Sequence, residues 1–143
     1  MPKDRRGGRS LKKQPYNDYD VIGDANHGKI SVLKSKSGTD NASVPQFSNK
    51  TNTTYFIAKD VDVVTPNGKS KVTKVTSIAV YRNRKVVYNI DVEQSGNHHY
   101  HVWDTKMVRG KVKQVKRKKH DYNLKPVHQK LIQMALNWNN GGN

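Results

Sequence analysis

From Thr53 to Asp104 the chain is a succession of β-branched and aromatic segments parted by short turns, a pattern that few folds accommodate. Thr53–Lys59 (TTYFIAK) favours extended backbone, and Val61–Thr65 prolongs it beyond Asp60. Pro66-Asn67-Gly68-Lys69 is a turn, because proline fixes its φ and glycine accepts a positive one. Val72–Tyr81 is the next strand, rich in residues that favour extended backbone. Arg82–Lys85 turns the chain back, and Val86–Glu93 alternates. In that alternation Val86, Tyr88, Ile90 and Val92 share one face, while Val87, Asn89, Asp91 and Glu93 share the other. A turn at Gln94–Asn97 leads into a strand at His98–Asp104. Loops this short predict an antiparallel meander.

The flanks read differently. Met1–Pro15 is basic and contains Gly7-Gly8, as expected of a disordered arm. Residues 16–143 then form a single domain. Within Tyr16–Thr39, Lys29–Leu33 is a candidate short strand, and Tyr16, Tyr19, Val21 and Ile22 are candidates to tuck against a core. Met107–Val115 alternates weakly around Arg109-Gly110 and predicts one further edge strand. Pro126–Trp138 is the one helix: Pro126 suits its first position, and Val127, Leu131, Met134, Ala135 and Trp138 recur at helical spacing. The expected fold is α+β: a four- to five-stranded antiparallel meander from about Thr53 to Val115 with a C-terminal helix packed on it.

Composition narrows the function. The formal net charge is +16 over 143 residues, a charge that opposes compaction and is more easily tolerated against a polyanion. RNA is the first expected partner and DNA the second, ahead of an anionic membrane surface or an acidic protein. There is no cysteine, which excludes disulfides, thiolate metal sites and cysteine nucleophiles. No apolar run approaches a membrane span, and no apolar segment follows the basic start as a secretory signal would require. The expected location is cytoplasmic, or another cell if a separate carrier delivers the chain.

The densest chemistry lies at His98, His99 and His101, three of the six histidines. In a strand, His99, His101 and Trp103 point one way, and His98, Tyr100, Val102 and Asp104 point the other. Imidazoles near neutrality both take and give protons. Cleavage of RNA by internal attack needs both acts, plus a cation to stabilise charge on the pentavalent phosphorus. His99 and His101 are candidates for acid and base, with Arg82, Arg84 or Lys85 as the cationic clamp and no metal required. A metal held by the His-x-His pair with Asp91, Glu93 or Asp104 is the competing reading. Base stacking without chemistry, or ordinary surface histidines, are the blander ones. Register decides what Asp91 does. If Glu93 pairs with His98, Asp91 sits opposite Tyr100 on the face of His98. A one-residue slip instead sets it facing His101 on the side of His99.

From Lys106 to His120 there is no acidic residue, and Arg109, Lys111, Lys113, Lys116, Arg117, Lys118 and Lys119 form an electrostatic footprint for phosphate. Tyr100 and Trp103 are candidates to stack on bases, while Tyr55 and Tyr88 are assigned to the core.

Three stretches, Ser43–Phe56 (SVPQFSNKTNTTYF), Ile78–Asp91 (IAVYRNRKVVYNID) and His98–Asp104 (HHYHVWD), resemble the C-terminal domains of bacterial polymorphic toxins. Those are the cargo ends of Rhs, contact-dependent and LXG-type proteins, and phage and mobile-element proteins carry related stretches. The resemblance rests on Pro45, Phe47, Ser48, Asn52, Thr53, Tyr55, Tyr81, Ile90, Asp91, His99, His101 and Trp103. Many such domains are metal-independent ribonucleases with a helix-plus-antiparallel-sheet fold resembling barnase and the EndoU nucleases. The resemblance therefore implies Asp91, His99 and His101 as active residues, no cofactor, and an acidic immunity protein as partner. The chain departs from the pattern in two places. The Asp91–His98 segment is short, and Arg82-Asn83-Arg84-Lys85 stands where a glycine turn is expected. A non-enzymatic RNA- or DNA-binding protein and a phage structural protein are the alternative functions.

Overall fold

The computed structural model describes residues 18–36 and 44–141; the arm expected at 1–15, and Tyr16, lie outside the described residues. The elements in chain order are β1 (Tyr19–Ala25), β2 (Ile30–Ser35), β3 (Thr53–Thr65), β4 (Gly68–Arg82), β5 (Lys85–Asp91), β6 (His99–Val108), β7 (Lys111–Lys116) and α1 (Pro126–Asn139). All seven strands join one sheet in that same order. Every neighbouring pair is antiparallel except β2 and β3, which run parallel. The class is α+β with one C-terminal helix packed on a mostly antiparallel sheet, as expected. The sheet is larger than the four to five strands predicted, because β1 and β2 add a hairpin ahead of Thr53. Among the described residues no helix is long and apolar enough to cross a membrane.

Each face of the sheet buries its own apolar cluster. On one, Val32, Phe56, Ile78 and Ile90 pack against Ile132 and Ala135 of α1. On the other, Leu33, Tyr55, Ile57, Ala79, Tyr81 and Trp103 pack with Val44. Burying a large apolar side chain completely contributes roughly 1.5–3 kcal/mol, and Phe56, Ile78 and Tyr81 are fully covered. The second face is closed by the chain leading into β3. Tyr81 Oη donates to the Pro45 carbonyl at 2.6 Å, Ser48 Oγ and Tyr55 Oη share a hydrogen bond of 2.8 Å, and the Asn83 amide donates to Asn52 Oδ1 at 3.3 Å. Five residues of the resemblance motif, Pro45, Ser48, Asn52, Tyr55 and Tyr81, thus hold this face closed.

The structure corrects several local expectations. A bulge pairs Val80 with Tyr88 but Tyr81 with Val86, so Val87 has no opposite number and the alternation flips. Val86 consequently packs on the face opposite Tyr88 and Ile90. The single edge strand predicted around Arg109-Gly110 is a hairpin. β6 runs on to Val108, and Arg109 and Gly110 form its two-residue turn, with φ values of 52° and 76°. Val21 and Ile22 stay exposed. On α1 the buried axis is His128, Ile132 and Ala135, with Val127 turned to solvent.

A second bulge leaves Thr76 unpaired between the Ile57–Ser77 and Ala58–Val75 pairs. On the other edge of β4 the pairing with β5 ends at Ser77–Asp91, so Val75 has no strand partner on that side. Asn139 at the helix end supplies one: the Val75 amide donates to Asn139 Oδ1 at 2.6 Å, and Asn139 Nδ2 donates to the Val75 carbonyl at 3.1 Å. This side chain mimics a neighbouring strand and fixes α1 on the sheet.

Candidate functional site

The turn between β5 and β6 sets the register that places the site. Gly96 carries a φ of 92°, its amide donates to the Glu93 carbonyl at 3.1 Å, and the Glu93 amide donates to His98 Nδ1 at 3.0 Å. Asp91 pairs with His99 and Asn89 with His101. Asp91 therefore shares a face with both histidines and with Trp103, on the side away from α1. This is the parity of the slipped register, with Asp91 opposite His99 rather than His101.

A polar network is built into that face. Trp103 Nε1 donates to Asn89 Oδ1 at 2.8 Å, which orients the amide so that its Nδ2 donates to Ser77 Oγ at 3.0 Å and to Asp91 Oδ1 at 2.9 Å. The other carboxylate oxygen, Asp91 Oδ2, lies 3.1 Å from His99 Nε2 and 3.1 Å from His101 Nε2. The far nitrogen of each ring is held by the backbone. His99 Nδ1 meets the Asn97 carbonyl at 3.1 Å, and His101 Nδ1 meets the Arg117 carbonyl at 2.8 Å. A carbonyl and a carboxylate both only accept, so each ring lies between two acceptors, and both Nε2 atoms converge on one carboxylate oxygen. Both rings are buried, 5% and 4% exposed.

A third histidine joins from a part of the chain read in sequence only as the end of a charge run. Beyond β7 the chain returns along the edge of β6, where the amide and carbonyl of Tyr100 and Asp121 exchange hydrogen bonds of 2.9 Å. That bridge sets His120 beside His101 and Tyr122 beside His99. The His120 ring stacks parallel on His99 at 4.2 Å between centroids and meets His101 edge-on at 4.8 Å. Ligand nitrogens of His99, His101 and His120 lie within 4.8 Å of one another, and these three residues could hold a metal ion. The chain matches no protein-family model, no curated protein and no solved structure.

Asp91 also opens, with Asn89, Ser77, Trp103, Lys59 and Lys116, onto a cavity of about 370 Å³. Of the predicted cations, Lys116 is the one that lines this cavity with Asp91. Arg117 lends its carbonyl to His101, but its guanidinium forms two 2.8 Å hydrogen bonds to Asp104, which hold the Asp104 carboxyl below its usual range. Arg82, Arg84 and Lys85 lie at the β4–β5 turn. Lys85 stands at the opposite end of β5 from Asp91, about 20 Å away along an extended strand, so the predicted clamp and the histidines are not brought together. Arg82 is tied locally, with Nη1 donating to its neighbour's carbonyl on Tyr81 at 3.1 Å.

The predicted base-stacking rings are also placed elsewhere. Trp103 is buried, with its N–H engaged by Asn89. Tyr100 faces α1, edge-on to Tyr88 at 6.0 Å and tilted against His128 at 4.8 Å. The exposed aromatic at this edge is Tyr122, 60% exposed and 5.3 Å from His99. A signal for it existed in the sequence: His120-x-Tyr122 has the same two-residue spacing as His99-x-His101.

Proposed function

We propose that this chain binds a nucleic-acid backbone, RNA in the first instance, along the β6–β7 hairpin and the segment that returns from it. The observation that supports this reading is the exposure of Lys106, Arg109, Lys111, Lys113, Lys116, Lys118 and Lys119 in a stretch with no acidic residue of its own, Arg117 within it being paired to Asp104. The hairpin outruns the core, so Met107, Val108 and Val112 are exposed between the cations. Its charge meets phosphates from both faces of a narrow ribbon, and such contacts give affinity with little sequence preference. Gln114 anchors the ribbon: its amide nitrogen donates to the Val86 carbonyl at 2.8 Å, and its backbone N–H donates to Gln46 Oε1 at 3.0 Å. The test is RNA and DNA binding by the whole chain and by a variant with Lys111, Lys113, Lys118 and Lys119 changed to Gln. These side chains are exposed, so the variant keeps the fold while its affinity falls. Equal affinity would end the proposal.

A second reading, a metal-independent endoribonuclease, is favoured by one observation. The exposed His120 ring stacks on His99 beside the cationic edge, with Asp91 and Lys116 on a shared cavity. In that reading His120 exchanges protons with RNA, and His99, His101 and Asp91 hold it in place and set its charge. Pure protein incubated with tRNA and rRNA in chelator would cleave them, and His120→Ala would abolish cleavage. Intact RNA would leave binding alone.

A further inference from the structure

We infer that Asp91, His99, His101 and His120 bind one divalent transition-metal cation of the zinc class. His99 and His101 each set Nδ1 against a backbone carbonyl; with its one proton placed there, a neutral ring presents a bare lone pair at Nε2. Those lone pairs face Asp91 Oδ2, itself an acceptor, at 3.1 Å each. Three acceptors converge on one point with no donor among them, and the neighbouring oxygen of the same carboxylate already takes the Asn89 N–H.

Positive charge at that point resolves the conflict. Two extra protons would make two imidazolium ions, almost wholly buried, over a single carboxylate, and burying charge is costly unless it is fully paired. One cation satisfies all three atoms together. A tetrahedral ion with bonds of 2.0–2.1 Å has ligands about 3.3 Å apart, close to the spacing found between the carboxylate oxygen and each ring. His120 supplies the third imidazole, with a ligand nitrogen within 4.8 Å of those of His99 and His101; its ring is stacked parallel on His99, so the exposed side chain rotates out of the stack to turn a lone pair toward the ion.

The supporting bonds point the same way. Ring N–H groups donated to backbone carbonyls are the usual second contacts of metal-binding histidines, and they fix which nitrogen faces the ion. Three imidazoles and one carboxylate suit zinc, and also cobalt, nickel and copper. Four protein ligands close the coordination shell, so the ion would pin the returning segment at His120 to β5 and β6 rather than activate water. The inference stands apart from the RNA-binding reading, since it rests on the surroundings of Asp91 and the histidines, and it competes with the ribonuclease reading, because a His120 nitrogen held by an ion does not exchange protons with RNA.

The experiment uses full-length protein stripped with chelator and titrated with Co²⁺ alone and then with Zn²⁺ alone. One equivalent of Co²⁺ should produce the visible bands of a four-coordinate ion, Zn²⁺ should bleach them, and either metal should raise the melting temperature. His120→Gln, at an exposed position that leaves the fold intact, should weaken binding more than tenfold. His99→Gln and His101→Gln should weaken it more than about a hundredfold, beyond the ten- to hundredfold cost of losing a supporting contact. His27→Gln, in the exposed turn between β1 and β2, should change nothing. Folded wild-type protein that binds neither metal, or His120→Gln and His101→Gln proteins that bind as tightly as wild type, would overturn the inference.

Discussion

His101 Nε2 lies 3.1 Å from Asp91 Oδ2 while Nδ1 of the same ring lies 2.8 Å from the Arg117 carbonyl. An imidazole pinched between two acceptors needs a second proton or a metal, and Asp91 is the residue that makes the choice matter. Asp91→Asn replaces an acceptor with a donor. In chelator, near pH 8 where ordinary histidines are neutral, Asp91→Asn should be as stable as wild type or up to about 1–2 kcal/mol more stable, because its N–H₂ can reach a bare Nε2. Urea unfolding measures this. Destabilisation by several kcal/mol would mean that the histidines are already protonated and paired.

Asn89 joins Trp103, Ser77 and Asp91 through a single buried amide. Asn89→Leu should leave the Trp103 N–H and Asp91 Oδ1 without those partners and lower stability by about 2–4 kcal/mol, each buried polar group left unsatisfied costing roughly 1–3 kcal/mol. Denaturant unfolding would show the loss as a lower midpoint. An unchanged midpoint would mean that the network carries no stability.

Asn139→Ala removes both hydrogen bonds to the buried backbone of Val75. The expected cost is about 1–3 kcal/mol, accompanied by faster amide exchange at Val75. Asn139→Asp should retain the bonded amide only in part, because a carboxylate cannot donate to the Val75 carbonyl.

His128 gives the fold a pH dependence. It is buried against Tyr88 and Tyr100, and its Nδ1 accepts the Lys125 amide at 3.1 Å. Burial first, then the charge of Lys125, lowers its pKa below 6.5, opposed by Asp121. The unfolded chain therefore binds this proton more readily than the folded one, so stability falls as pH drops below about 6.5 and levels off below the folded value. His128→Phe should flatten that part of the melting-temperature profile. A profile as steep as wild type would assign the effect elsewhere.

The central hairpins were legible because β3, β4 and β5 each keep residues that favour extended backbone on both sides of a defined turn. What escaped had physical reasons. Val86 was assigned to the wrong face because a bulge is a backbone event that residue alternation does not encode. β6 was cut short at Asp104 because Thr105 to Val108 are exposed and carry no apolar rhythm. The face shared by Asp91 and His99 depended on the register across the Gly96 turn, where one residue changes every neighbour. His120 went unseen because it meets His101 only after the chain slips between the Trp103–Lys116 pair and the Tyr100–Asp121 bridge, a slip hidden inside a run of lysines.

The proposed contact between the β6–β7 edge and a chain of phosphates is tested most directly by RNA affinity as a function of salt. For single-stranded RNA the logarithm of affinity should fall linearly with the logarithm of salt concentration, by about 0.7 per phosphate contacted. At least four contacts gives a slope near −3 or steeper. Changing Lys111, Lys113, Lys118 and Lys119 together to Gln should flatten it by about as much. An affinity indifferent to salt, or a slope left unchanged by those four substitutions, would contradict the claim.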